Sequence, residues 1–205
     1  MELEELKSVW AQYDKKLSQN LKLNEELLRK MNLEKSKKEM DTPLTYEFVS
    51  ATGCTIFLLF IASATIIHSN ELKFLVPGII TSIIIAIWVY NSISKIKLLT
   101  NIEYYGFSIV ELQKSINTFT LKYQKSKKFE LYSIPVFAIS AAPILGISLR
   151  NFDIYDYPIR FIIAIVLGLL LGYPVTIWGY KNLYDKKIRN TTKFLDELSR
   201  FEKEE

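Results

Sequence analysis

Apolar and polar residues are sorted into blocks along this chain. Four stretches are almost wholly apolar: about Phe48 to His68, Phe74 to Ser94, Leu131 to Leu149 and Ile159 to Gly179. The first three hold no Asp, Glu, Lys or Arg, and the fourth holds only Arg160, near its start. A helix needs ~20 predominantly apolar residues to cross the hydrocarbon core of a bilayer, so each stretch is long enough to span one. Buried helices of a soluble domain are the competing account. Four almost uncharged runs of this length are too many for one soluble core. The first run follows a long charged segment, where a cleavable signal peptide would have no proper n-region.

Between the runs the pattern changes to stripes. Leu3, Leu6, Trp10, Tyr13 and Leu17 recur at 3,4,3,4 spacing, and so do Ile109, Leu112, Ile116, Phe119 and Tyr123. Tyr184, Ile188, Thr191, Leu195 and Leu198 run 4,3,4,3. This coiled-coil spacing puts one apolar stripe on a helix. Ser108 and Glu111 after Gly106 form a capping box at the start of the central helix. A break is expected near Asn20–Asn24. Asn24 would cap a second helix with Glu25 and Glu26 in its first turn and Leu27, Leu28 and Met31 on its apolar side.

The fold class that follows is all-α: an integral membrane four-helix bundle of two hairpins, extended by amphipathic cytoplasmic helices. Residues 1–46 form a cytoplasmic helical segment, 47–94 the first transmembrane hairpin and 95–130 a cytoplasmic central helix. Residues 131–179 form the second hairpin and 180–205 a cytoplasmic helical tail. The run Lys35-Ser36-Lys37-Lys38 before the first hairpin returns as Lys125-Ser126-Lys127-Lys128 before the second. Both hairpins enter from the same side, so a duplication here would be parallel. Lys35, Lys37, Lys38, Lys125, Lys127 and Lys128 are the candidate basic residues at the membrane interface, where they fix topology and favour anionic headgroups.

Charge orients the bundle. Of 26 Lys and Arg, nine precede the first run, seven lie between the second and third, and seven follow the fourth; the remaining three, Lys73, Arg150 and Arg160, lie in or beside the two short loops. The positive-inside rule then puts both termini and the central segment in the cytoplasm of a bacterial cell, with the chain in the inner membrane. Trp88, Tyr90, Trp178 and Tyr180 fall at the inner interface, and Phe152, Tyr155 and Tyr157 at the outer.

Candidate chemistry is sparse. One His and one Cys among 205 residues exclude a zinc cluster, a Cys–His catalytic centre and an internal disulfide. No nucleotide-binding, nucleophile-elbow or metalloprotease motif occurs, so no enzyme activity, cofactor or metal is expected. The net charge of +4 is explained by the basic flanks and does not point to nucleic acid. Small residues recur every fourth position: Gly78, Ser82 and Ala86; Ala138, Ala142 and Gly146; Ala164, Gly168 and Gly172. Such stripes let helices approach closely within the bundle or across a homodimer. Pro143 and Pro174, inside spans, are expected to kink them. Ion-coupled transporters place ionisable residues inside the membrane; here the candidates reduce to His68 and Arg160, both near the outer boundary.

Three segments carry a resemblance. Leu6-Lys7-Ser8-Val9-Trp10, Tyr13-Asp14-Lys15-Lys16-Leu17 and Leu23-Asn24-Glu25-Glu26-Leu27-Leu28 are similar to the start of a family of uncharacterised small four-span membrane proteins of Bacteroidota. Ile102-Glu103-Tyr104-Tyr105 with Ile109-Val110-Glu111-Leu112-Gln113-Lys114 resembles its middle segment. Some proteins of this look are associated with sigma-factor regulation. The resemblance implies a membrane-anchored regulator with Leu3–Leu17 as its docking helix. The zinc-binding anti-sigma motif is missing here. The expected function is therefore a membrane-anchored regulatory or scaffolding module. It would dock a cytoplasmic protein partner, or a second copy of itself, through Leu3, Leu6, Trp10, Tyr13 and Leu17. A small oligomeric channel or transporter is the alternative.

Overall fold

The computed structural model describes residues 3–150 and 152–201. Helix α1 runs Leu3–Ile67, α2 Leu72–Thr100, α3 Ile109–Arg150, α4 Pro158–Gly179 and α5 Lys186–Phe201. A π-helical segment, Tyr180–Asp185, joins α4 to α5 without a loop, and one 3-10 turn, Ile154–Asp156, precedes α4. No strand occurs among the described residues. The chain is an all-α bundle, and α1 to α4 are each long and apolar enough to cross a membrane.

The apolar runs are not separate helices. α1 has 65 residues, and at 1.5 Å per residue it is roughly 100 Å long. It carries the first run at one end and the whole charged N-terminal segment at the other. α3 likewise joins the central stripe to the third run in one 42-residue helix. The bundle therefore has a membrane part and a charged head built on the same rods.

The break expected at Asn20–Asn24 does not occur: both residues lie exposed inside α1. An interior Asn costs a helix under about 0.7 kcal/mol relative to Ala, and with no Gly or Pro nearby that is too little to stop it. Pro43, Pro77, Pro135, Pro143 and Pro174 all lie within helices without ending them. The start of α3 follows its local signal. Ser108 N–H donates to Glu111 Oε2 at 2.9 Å, and Glu111 N–H donates back to Ser108 Oγ at 3.3 Å. The Ser108 N–H and the Ser108 hydroxyl, both donating to Glu111 Oε2, hold that carboxyl below the usual carboxylate range.

Two apolar cores form. The head core joins Leu33 and Met40 of α1, Leu99 of α2, the α3 stripe from Ile109 to Tyr123, and Tyr180, Tyr184, Ile188, Leu195 and Leu198. The second core lies at the far end of the runs and joins Ile61, Ala64, Phe74, Ile85 and Ile144. At that far end the two short connections are tied together. Lys73 bridges to Asp153 and, at 3.0 Å, to Glu71, and Tyr155 OH donates to the Lys73 carbonyl at 3.1 Å. The hydrogen bond from Lys73, with one from the Tyr155 N–H, holds the Asp153 carboxyl below its ordinary value.

Candidate functional site

Between the two cores lies a polar layer built from charges that edge the apolar runs. Glu47 immediately precedes the first run, Lys95 immediately follows the second and Glu130 immediately precedes the third. Each occupies a core position of its helix. On α1, Glu47 sits in a heptad series with Leu33, Met40, Cys54 and Ile61. On α2, Lys95 follows Ile85, Trp88 and Ser92 and precedes Leu99 at 3 and 4 spacing. On α3, Glu130 continues the stripe from Ile109 to Tyr123 through Ser126. Helical phase therefore turns all three side chains inward.

Their geometry is that of a buried ionic cluster. Lys95 Nζ lies 2.6 Å from Glu47 Oε1 and 3.3 Å from Glu130 Oε1. The Glu47 and Lys95 side chains are 1% and 3% exposed. Tyr184 OH donates to Glu47 and Tyr180 OH to Glu130. The ammonium also stands 5.7 Å from the Tyr184 ring centroid. Moving an ion out of water costs several kcal/mol, so buried charges persist only when paired and hydrogen-bonded, as these are. Both phenols come from the π-helical segment, where the Lys186 N–H bonds to the Lys181 carbonyl five residues back. One wider turn carries the chain from the exposed α4 into the buried stripe of α5, and π turns often mark functional sites.

The cluster borders a cavity of about 240 Å³. α1 supplies Tyr46, Glu47, Ser50 and Cys54, α2 Trp88, Ser92 and Lys95, and α3 Glu130 and Ile134; Val175, Thr176, Gly179, Tyr180 and Tyr184 close it. Trp88 Nε1–H donates to Ser133 Oγ at 2.9 Å, and Thr81 Oγ1–H donates to Ser140 Oγ at 2.9 Å deeper between α2 and α3. The arrangement offers carboxylates, an ammonium, phenols and aromatic faces around one partly open cavity at the edge of the spans.

The three amphipathic stripes separate into two groups. Ile109, Leu112, Ile116, Phe119 and Tyr123 are buried, as are Tyr184, Ile188, Thr191, Leu195 and Leu198. The N-terminal stripe is not. Trp10 and Tyr13 are each 71% exposed and Leu17 60%, and every residue from 10 to 31 is exposed. The side chains of Leu3 and Leu6 lie outside the described ones. The inward heptad of α1, run backwards from Leu33, meets Glu26, Gln19 and Gln12. Trp10, Leu17, Leu21, Leu28 and Met31 fall about half a turn away from that series at 100° per residue. The arm thus aims its apolar stripe away from its own bundle.

The small-residue stripes also divide. Gly78 is buried, and a Cβ there would lie 2.1 Å from Thr65 Oγ1, so α1 and α2 meet closely. Ser82, Ala138, Ala142 and Gly146 are half-buried. Ala86, Ala164, Gly168 and Gly172 are exposed, and a Cβ at Gly168 or Gly172 would meet nothing within 4 Å. The two basic runs share a feature: Ser36 and Ser126 are buried, while Lys35, Lys37, Lys38, Lys125 and Lys128 are exposed. Lys127 pairs with Asp185 at 2.8 Å, and Lys35 stands over the Phe194 ring at 5.9 Å.

No protein-family model matches the chain, nor does any curated protein or solved structure. Glu47, Lys95 and Glu130 went unread in the sequence because a charge at the edge of an apolar run is ordinarily an interface anchor. The signal that distinguishes them was present. All three fall in core phase once each stripe is carried across the membrane boundary.

Proposed function

We propose that the chain is a membrane-anchored interaction module whose N-terminal arm docks a cytoplasmic protein. The observation that carries this reading is the exposed, outward-facing stripe of Trp10, Tyr13 and Leu17, continued by Leu21, Leu28 and Met31 on a helix that its own bundle does not cover. Tyr and Trp are residue types enriched at binding hot spots, and an amphipathic helix laid in a groove is a common recognition mode. An isolated helix gains most of its stability from packing of its apolar face. The Lys and Arg excess at the head end favours a cytoplasmic head and an inner-membrane location. A regulatory role of the sigma-factor type belongs within this reading.

The test is retention of a partner. Tagged protein extracted in mild detergent should hold a cytoplasmic protein, and Trp10→Ala with Tyr13→Ala should release it at unchanged expression. Retention of no protein by the wild type, or equal retention by the double variant, would reject the reading. The charged cavity at the edge of the spans favours a second reading, a small transporter. Reconstituted protein should then move a charged solute across a liposome membrane.

A further inference from the structure

We propose that the cavity beside Glu47, Lys95 and Glu130 binds one small organic cation through its ammonium group, either a free amine or the headgroup of a membrane lipid. The proposal does not rest on the arm.

The first ground is charge. Both carboxylates accept a phenolic O–H, and Lys95 supplies a single ammonium between them. The cluster therefore holds one carboxylate more than it balances. The Lys127 ammonium, which stands over the Tyr180 ring at 5.5 Å, is already paired with Asp185 at 2.8 Å. Glu130, the less buried of the cluster's two carboxylates with its side chain 18% exposed, shares its ammonium with Glu47, so the site is poised for one more positive charge. An anion would worsen the imbalance. A calcium ion wants six to eight oxygen ligands and magnesium a near-ideal octahedron, whereas the two carboxylates here are engaged by Lys95 and the tyrosines. A monovalent ammonium needs only one carboxylate face.

The second ground is the wall. Tyr46, Trp88, Tyr180 and Tyr184 line the cavity, and aromatic faces attract ammonium ions through the ring quadrupole. Lys95 already makes this contact with the Tyr184 ring at 5.7 Å. The third ground is room. A volume of about 240 Å³ equals roughly eight waters at ~30 Å³ each, enough for a small amine or a headgroup. Gly179 is buried, yet a Cβ there would meet nothing within 4 Å. The space next to it is open, and a larger side chain at that position would fill it. The site also lies at the end of the apolar runs, at the level where lipid headgroups meet the protein.

The chain has three Trp. With Trp10→Phe and Trp178→Phe, Trp88 becomes the only indole and reports on the cavity. That protein, in detergent or in nanodiscs, is titrated with choline, with ethanolamine and with 3,3-dimethyl-1-butanol, the neutral isostere of choline. A saturable change in Trp88 emission is expected with the cations, at least tenfold weaker with the isostere. Glu130→Gln, which cancels the surplus charge at constant shape, should weaken cation binding tenfold or more. Gly179→Leu, which leaves all the charges in place, should abolish it; circular dichroism checks that both variants are folded. Native mass spectrometry separates the sources. An ethanolamine-headgroup lipid retained by the wild type and lost from Glu130→Gln identifies the lipid, and an amine response without a retained lipid identifies the free amine. The proposal is overturned by the absence of both a Trp88 response and a retained ammonium lipid. An equal response to the neutral isostere, or unchanged binding in folded Glu130→Gln and Gly179→Leu, overturns it as well.

Discussion

The N-terminal arm and the α5 tail carry the same spacing of apolar residues and meet opposite fates. Leu195 is 1% exposed at the centre of the head core, whereas Leu17 is 60% exposed on an uncovered helix. Periodicity alone fixes that a helix has an apolar face. It does not fix what covers that face. Coverage is decided by phase and reach. α5 emerges from a π turn directly beside α3 and α1, so its stripe turns into the head. The arm extends past Leu33, where the inward phase of α1 becomes polar and the apolar stripe moves to the far side.

The largest expected effect follows from replacing one residue of each kind. Phe119 is wholly buried in the head core, and Phe119→Ala should cost about 3–5 kcal/mol, the range for a large aromatic cut from a packed core. Leu17→Ala should leave stability within about 0.5 kcal/mol, as at an exposed position. Thermal unfolding of both variants in the same detergent checks the contrast. A comparable loss for Leu17→Ala would mean that the arm is covered, by its own head or by a second copy.

The membrane part contains a parallel comparison. Gly78 and Gly168 both belong to small-residue stripes, but only Gly78 faces a neighbour. Gly78→Ala drives a Cβ against Thr65 Oγ1 and should cost about 1–3 kcal/mol as overpacking. Gly168→Ala meets open space and should be neutral or stabilising by up to about 1 kcal/mol, the helix gain of Ala over Gly. Measured destabilisation at Gly168 would place a second copy of the chain against α4.

How much of this was legible depended on the distance over which each signal acts. The runs from Phe48, Phe74, Leu131 and Ile159 mark the four helices because bilayer thickness imposes a length that composition can meet or miss. The Ser108–Glu111 box marks the start of α3 because a cap is local chemistry. The continuity of α1 through Asn20 and Asn24 departs from the break expected there, because side-chain preference at two positions is outweighed by the long helix around them. The cluster of Glu47, Lys95 and Glu130 was missed for a different reason. Each charge alone resembles an anchor at a membrane edge. Only three stripes read in phase across that edge show that all three converge on one layer. The exposure of the Trp10 stripe could not be read from spacing at all, because the buried stripes of α3 and α5 share it.

The smallest effect concerns a second pair of ionic contacts. Lys95 bridges two carboxylates in the buried layer, while Lys73 bridges Glu71 and Asp153 in solvent at the other end of the bundle. The exposed bridge should contribute little, because solvent and salt screen it. Its sign is nevertheless fixed. The folded Asp153 carboxyl is held below its unfolded value, so its contribution is complete above the ordinary carboxylate pKa of ~3.9. It is lost as pH falls through the lowered folded value. Wild type should therefore exceed Asp153→Asn in melting temperature by a small, constant margin from neutral pH down to about pH 5, and the margin should close on further acidification. Raised salt at neutral pH should shrink it too. A margin that does not shrink at all on acidification or in raised salt would mean that the charge pair of Asp153 with Lys73 contributes nothing.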